Sequence, residues 1–132
     1  MRTKQRNNLA ETACHERVAQ NTDVYAVKAR NYKGLRRGSP VFCRNNWHIH
    51  HAKSGGGQIL VCVAGRGFYQ EEGKEAVEMK PGDCINIPAE VKHWHGATPD
   101  EWFSHLAIEV PGVDCSNEWC EAVSEKEYAR LK

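Results

Sequence analysis

The alternation of apolar and polar positions sharpens at Gln58. Gln58-Ile59-Leu60-Val61-Cys62-Val63-Ala64 is a near-continuous apolar run, the pattern expected of a strand buried on both faces. Gly65-Arg66-Gly67 turns it, and Phe68-Tyr69-Gln70 begins a strand that turns at Glu71-Glu72-Gly73-Lys74. Val77 and Met79 alternate with Glu78 and Lys80, which predicts a returning strand over Ala76–Lys80. Cys84–Ile87 is a strand ended by Pro88, after a turn at Pro81-Gly82-Asp83. Val91–Ala97 and Trp102–Val110 are two further strands, the second closed by Pro111-Gly112.

Upstream the signals weaken. Val41–His51 reads as a strand, and Ala52–Gly57, ending in three glycines, as a flexible turn. Asn31–Pro40 reads as loop and Val24–Val27 as a weak strand. Residues 1–20 show no period of two and read as a mobile basic tail. Near the other end, Ser124-Glu125-Lys126-Glu127 is a capping box that predicts a short helix through Tyr128 and Leu131. Short strands, frequent turns and no long helix predict an all-β barrel or double-sheet roll. The chain of 132 residues suits one core. The expected division is a tail over 1–20 and one domain over 21–132, with the barrel over 41–112 and a C-terminal segment over 113–132.

Composition changes this picture little. Hydrophobic residues make up 40% and charged residues 27%, as in ordinary globular domains. No apolar run approaches the roughly 20 residues of a membrane span. The basic start, Met1 to Arg6, is followed by no apolar core, so a secretory signal is not expected. The six cysteines include no C-x-x-C spacing. Cys62 and Cys84 sit in strand-like runs as small apolar residues, so free thiols and a reducing cytoplasm are the expectation. Net charge is +1 but uneven: residues 1–44 hold ten basic and three acidic side chains, residues 45–132 eight and fourteen. The arm has little aromatic interleaving and no repeated basic motif, so it reads as a solvated terminus rather than a nucleic-acid-binding element.

The histidines change the picture most. Of seven, His48, His50 and His51 fall in one run and His93 and His95 in another; His105 follows. Residues two apart on a strand share a face. His48 therefore projects with His50, and His93 with His95. A lone strand histidine is usually hydrogen-bonded in the core, but two such pairs on adjoining strands make a divalent-metal site. Gln58, starting the strand after the glycines, can add an amide oxygen. His51 points away from its neighbours, and His15 reads as surface. Trp47 and Trp94 read as packing. Nothing suggests a lowered pKa that would make Cys62 a nucleophile.

These residues carry a resemblance. His48-x-His50, then Gln58, six residues and Gly65, resembles the first motif of the cupin superfamily. Gly82, five residues, Pro88 and His93 resembles the second. The resemblance spans about residues 41–112 and implies a small cupin, a double-stranded β-helix or jelly roll, with His48, His50, Gln58 and His93 holding one metal ion. Trp47-His48, Gly57-Gln58, His93–Ala97 and His105–Ile108 resemble one subgroup more closely. It contains manganese-dependent hydroxynitrile lyases and cupins linked to carboxymuconolactone decarboxylase-like proteins. In those lyases, histidines matching His95 and His105 line the cavity beside the metal, which implies acid/base roles here. The sequence departs from the general pattern in two places. Seven residues separate His50 from Gln58 where three or four are usual, which widens the mouth near Lys53, and Glu90 replaces a usual glycine.

Gln in place of Glu leaves the full charge on a divalent ion, which favours Lewis-acid over redox chemistry. Manganese is the first expectation, with iron, nickel, cobalt or zinc as substitutes. The expected function is a non-redox lyase acting on a small hydroxynitrile-like or hydroxy-carbonyl substrate. The rivals are an Fe(II) dioxygenase on the same ligands and a non-catalytic metal or small-molecule sensor. Titratable His95 and His105 beside the ion argue against the sensor. Val61, Val63, Leu106 and Ile108 occupy the opposite face of their strands. That face needs a cover, so a homodimer or higher homo-oligomer is expected.

Overall fold

A computed structural model of the chain describes the backbone of residues 14–19 and 27–32 and all of residues 44–131. Its strands are β1 (Cys14–Ala19), β2 (Val27–Tyr32), β3 (His48–His51), β4 (Ser54–Gly55), β5 (Gln58–Gly65), β6 (Gly67–Glu71), β7 (Val77–Met79), β8 (Cys84–Ile87), β9 (His93–Ala97), β10 (Phe103–Glu109), β11 (Gly112–Val113) and β12 (Ser116–Trp119), followed by one short helix, α1 (Glu125–Tyr128). Among the described residues they form two five-stranded antiparallel sheets. The first runs β1-β2-β10-β5-β8 and the second β12-β3-β9-β6-β7, with β11 and β4 pairing at one end. The all-β roll expected from the alternation is the architecture found.

The core lies between the sheets. Leu60 and Cys62 of β5, Ile87 of β8, and Phe103 and Ala107 of β10 meet Tyr69, Met79 and Ala97 of the second sheet. Each projects from alternate positions, as a two-layer sandwich requires. Gly65 ends β5 with φ +74°, and a Cβ there would stand 2.0 Å from the Trp102 carbonyl oxygen; no other residue fits that turn.

A second cluster, Trp47, Phe68, Trp94, Val123 and Tyr128, covers the other face of the second sheet. The C-terminal segment closes it. Ser124 caps α1 by accepting from the Glu127 N–H, and the Glu127 side chain bonds back to the cap backbone, the reciprocal box the sequence predicts. Tyr128 donates its hydroxyl to the Ala97 carbonyl. Arg44 lies 4.4 Å above the Tyr128 ring and donates to Val123 O at 2.8 Å. Trp94 packs here, away from its flanking histidines, with Nε1 donating to Gln70.

Several expectations need correcting. The stretch read as tail, 1–20, contains β1, which pairs antiparallel with β2. An edge strand is held by backbone hydrogen bonds and needs no apolar alternation, so the pattern gave no sign of it. The weak strand Val24–Val27 meets the structure only at Val27, where β2 begins; β2 then runs through Asn31 and Tyr32, the start of the stretch read as loop. Residues 1–13, 20–26 and 33–43, and with them most of the basic arm, lie outside the described residues, as does the His15 side chain. The Ala52–Gly57 turn contains β4, tied to β11. β5 is not buried on both faces: Gln58, Leu60 and Cys62 are buried, whereas Ile59 and Val61 are half-buried and Val63 is 52% exposed. Four cysteines among the described residues, Cys62, Cys84, Cys115 and Cys120, are free thiols. No helix among those residues is long and apolar enough to cross a membrane.

Candidate metal centre

β3 and β9 meet at one register pair, His48 opposite His93. Alternation then turns His48 and His50 of β3 to the same side as His93 and His95 of β9, and all four are buried. The ring centroids of His48 and His93 are 4.2 Å apart. His50 stands 5.2 Å from His48 and 5.4 Å from His93. One ligand atom each from His48, His93 and His95 lie within 4.8 Å of one another. β5 and β10 of the facing sheet bring buried Gln58 and His105 to the same space. A bulge in β5 passes over Val63, so that His105 pairs with Cys62. Bulges re-aim side chains in this way. The His105 ring stacks on Phe103 at 4.7 Å and meets His95 edge-on at 4.7 Å.

Hydrogen bonds fix which atoms face inward. His48 Nδ1 lies 2.9 Å from the Asn46 carbonyl and His93 Nδ1 2.9 Å from the Val91 carbonyl. A carbonyl only accepts, so both Nδ1 atoms carry hydrogen and, in the neutral rings, each Nε2 keeps its lone pair. Burial, helped by the neighbouring His50, pushes the His93 pKa down to about 4, so this ring is neutral near pH 7. Gln58 Nε2 donates to Glu109 Oε1 at 3.2 Å. Only the amide nitrogen can face a carboxylate, so the amide oxygen faces the other way. His50 Nδ1 approaches Glu109 Oε2 at 3.1 Å, off the angle of a hydrogen bond. Three buried inward-facing atoms, His50 Nε2, Gln58 Oε1 and His93 Nε2, have no hydrogen-bond partner, and neither has His50 Nδ1. Each such atom costs about 1–3 kcal/mol if left alone. Buried lone-pair donors of this kind beside His48 suit a divalent cation.

Residues 41–109 match the cupin domain family. The chain is a cupin. It is 38% identical over 87 residues to the (R)-mandelonitrile lyase of Granulicella tundricola, a match that covers 66% of this cupin and 63% of that relative's length, slightly under two thirds. Among solved structures, a cupin-like protein from Thermotoga maritima is 34% identical with a TM-score of 0.68, over 90% of this cupin and 83% of that chain. The DMSP lyase DddQ of Ruegeria pomeroyi, 19% identical with a TM-score of 0.59 over 86% of this chain and 53% of its own, shares the fold. The three-histidine group in a cupin supports a bound divalent metal.

The cavity of this cupin opens between the sheets. His48, His50, Gln58 and His95 line it together with Asn45, Ala107, Glu109, Asn117 and Trp119; His93 is fully buried. Alternation alone sets His95 one pleat beyond His93, and their rings stand 6.2 Å apart. Even so, His95 reaches the tight group of ligand atoms. Asn45 holds it by accepting from its backbone N–H at 2.9 Å and placing Nδ2 3.1 Å from its Nε2. Trp119, opposite His48 in the β12–β3 register, lies 4.9 Å from that ring and is 55% exposed at the mouth. His51 lies outside the cluster, its nitrogens 2.6 Å from Glu90 and 2.7 Å from Glu118. The hydrogen bonds to Glu118 and then Glu90 raise its pKa. Asn45, Asn117, Trp119 and Glu109 were not found from the sequence. Only Glu109 left a signal: it shares the inward face of β10 with His105, four residues earlier.

Proposed function

We propose that this cupin is a metal-dependent lyase that breaks the carbon–carbon bond beside a hydroxyl in a small hydroxynitrile-like or hydroxy-carbonyl substrate. The observation that carries this reading is the set of three partnerless inward-facing atoms, His50 Nε2, Gln58 Oε1 and His93 Nε2. With His48 they are the four ligands we assign to one divalent ion, manganese first. An ion held there supplies Lewis acidity, polarising a hydroxyl or carbonyl oxygen.

His95 and His105 handle the proton. Their rings are 4.7 Å apart, and His95 lines the cavity where a substrate would sit. For a hydroxynitrile, a neutral imidazole nitrogen of His95 takes the hydroxyl proton. The oxygen's electron pair becomes the carbonyl π bond. Cyanide leaves with the carbon–carbon pair and takes up a proton from an imidazolium of the same histidine pair. The products are an aldehyde and hydrogen cyanide. Trp119 at the rim offers a flat apolar face to an aryl group, which agrees with the name of the mandelonitrile-cleaving relative.

A second ligand set has its own support, since the tightest group of ligand atoms is His48, His93 and His95. One experiment decides between them: manganese content and mandelonitrile cleavage in His93→Ala, His95→Ala and His105→Ala. His93→Ala should lose the ion. His95→Ala and His105→Ala should keep it and slow turnover by about 10²- to 10⁴-fold, the usual size of a general acid–base contribution. Metal loss in His95→Ala would establish the three-histidine set. Undiminished turnover in both would remove the acid/base role and favour a binding domain.

A further inference from the structure

We propose that Glu109 is a positioning residue for the metal centre: one carboxylate that orients two ligands at once and returns, from just outside, the negative charge that a glutamate at position 58 would have supplied directly. The inference rests on the ligand assignment above. Glu109 is the cross-strand partner of Gln58 in the β10–β5 register. Directly opposed side chains on one face sit close enough to bond. Its Oε1 accepts from Gln58 Nε2 at 3.2 Å and its Oε2 stands 3.1 Å from His50 Nδ1.

Each contact acts on the far atom of its partner. An amide can turn either end inward, and only the oxygen can bind a cation. With Nε2 held by the carboxylate, the buried Oε1 is the end that faces in. At His50 the carboxylate stands 3.1 Å from Nδ1 without the angle of a hydrogen bond, and its negative charge favours the hydrogen on that nitrogen and the lone pair on Nε2. A carboxylate next to the far nitrogen also raises the basicity of a ligating imidazole. Ala107, the inward residue of β10 between His105 and Glu109, also lines the cavity, and its short side chain leaves space beside the ligands. The centre thus has four neutral ligands and one nearby anion that bridges β3 of one sheet and β5 of the other.

The test uses full-length protein stripped with a chelator and titrated with manganese(II). Glu109→Gln should weaken manganese binding by about 10- to 100-fold, the usual cost of removing an outer-shell partner, while the unfolding temperature of the metal-free protein stays at the wild-type value. Cobalt(II) loaded into the same variant should show a shifted visible absorption, reporting the changed ligand field. The double variant Gln58→Glu/Glu109→Gln moves the charge inward and should regain manganese affinity. Wild-type affinity in Glu109→Gln overturns the proposal. So does a fall in metal-free stability that accounts for the whole loss, or a double variant no better than Glu109→Gln. His93→Ala separates this from the ligand assignment. If it still binds manganese like wild type, that assignment fails; if it loses the ion while Glu109→Gln is unaffected, only the role of Glu109 fails.

Discussion

His93 makes the metal-free protein acid-sensitive by an amount that follows from its surroundings. The ring is fully buried, and burial pushes its pKa from 6.5 down to about 4. In the unfolded chain the same ring titrates near 6.5. Between these values the unfolded state binds a proton that the folded state refuses. Stability is therefore fully present above about pH 6.5 and is lost as pH falls towards about 4. At about pH 5 the linkage gives a loss of roughly 2 kcal/mol, and the full gap of about 2.5 units corresponds to roughly 3.4 kcal/mol.

Urea unfolding of chelator-treated wild type and His93→Asn, compared from about pH 7.5 to about pH 5, isolates this group. Asparagine keeps a donor for the Val91 carbonyl and cannot titrate. Other groups cancel in the difference. His51, whose pKa is raised, contributes with the opposite sign, favouring the fold below its unfolded value and losing that contribution as pH rises through the folded one. The stability of wild type relative to the variant should fall by roughly 2 kcal/mol across that range. A difference that does not change with pH would refute the reasoning, because it would mean His93 stays solvated or finds a charge partner when the ion is removed.

Three further outcomes are expected. Gln58→Glu should retain the metal and lower turnover with the same ion, because an added charge weakens Lewis acidity; faster turnover would contradict the argument. Light scattering at tens of micromolar should give a dimer or larger, since Val63 is 52% exposed among half-buried Val61, Leu106 and Ile108 on one open face; a monomer would reject this. Cleavage should proceed without dioxygen, and a strict oxygen requirement would bring the Fe(II) oxygenase reading forward.

Period-two alternation was enough to place the histidines on shared faces, because strand geometry leaves only two sides to choose from. The capping box at Ser124 was legible because its partners are three residues apart. What escaped was set by pairing between distant strands. Glu109 faces Gln58 only through the β10–β5 register, and that register contains a bulge at Val63 with no turn residue to announce it. Asn45 precedes β3, yet its bonds go to His95, fifty positions on. The apolar run of β5 looked buried on both faces because hydrophobicity marks what could be covered, not what the described residues cover. β1 was invisible because backbone pairing at a sheet edge needs no apolar alternation.

The departures from the usual cupin pattern are physically connected. The longer connection after His50 leaves the Ala52 N–H in need of an acceptor, and Glu90 Oε1 supplies it at 2.9 Å. The other oxygen of Glu90 binds His51 Nδ1, and its backbone N–H donates to the His50 carbonyl at 2.9 Å. A glycine could not supply the carboxylate. Glu90 therefore occupies the glycine's backbone conformation, φ 67°, which costs a residue with a side chain about 1–2 kcal/mol. Its hydrogen bonds to Ala52, His51 and His50 hold it there. His50 is thus held on two sides, its backbone carbonyl accepting from the Glu90 N–H and its ring standing beside the Glu109 carboxylate. The insertion, the strained Glu90 and the glutamine at position 58 read together as one rearrangement. On the ligand assignment proposed above, negative charge that the general pattern places on the ion would be distributed around β3, ordering the ligands and leaving the charge of the ion to act on substrate.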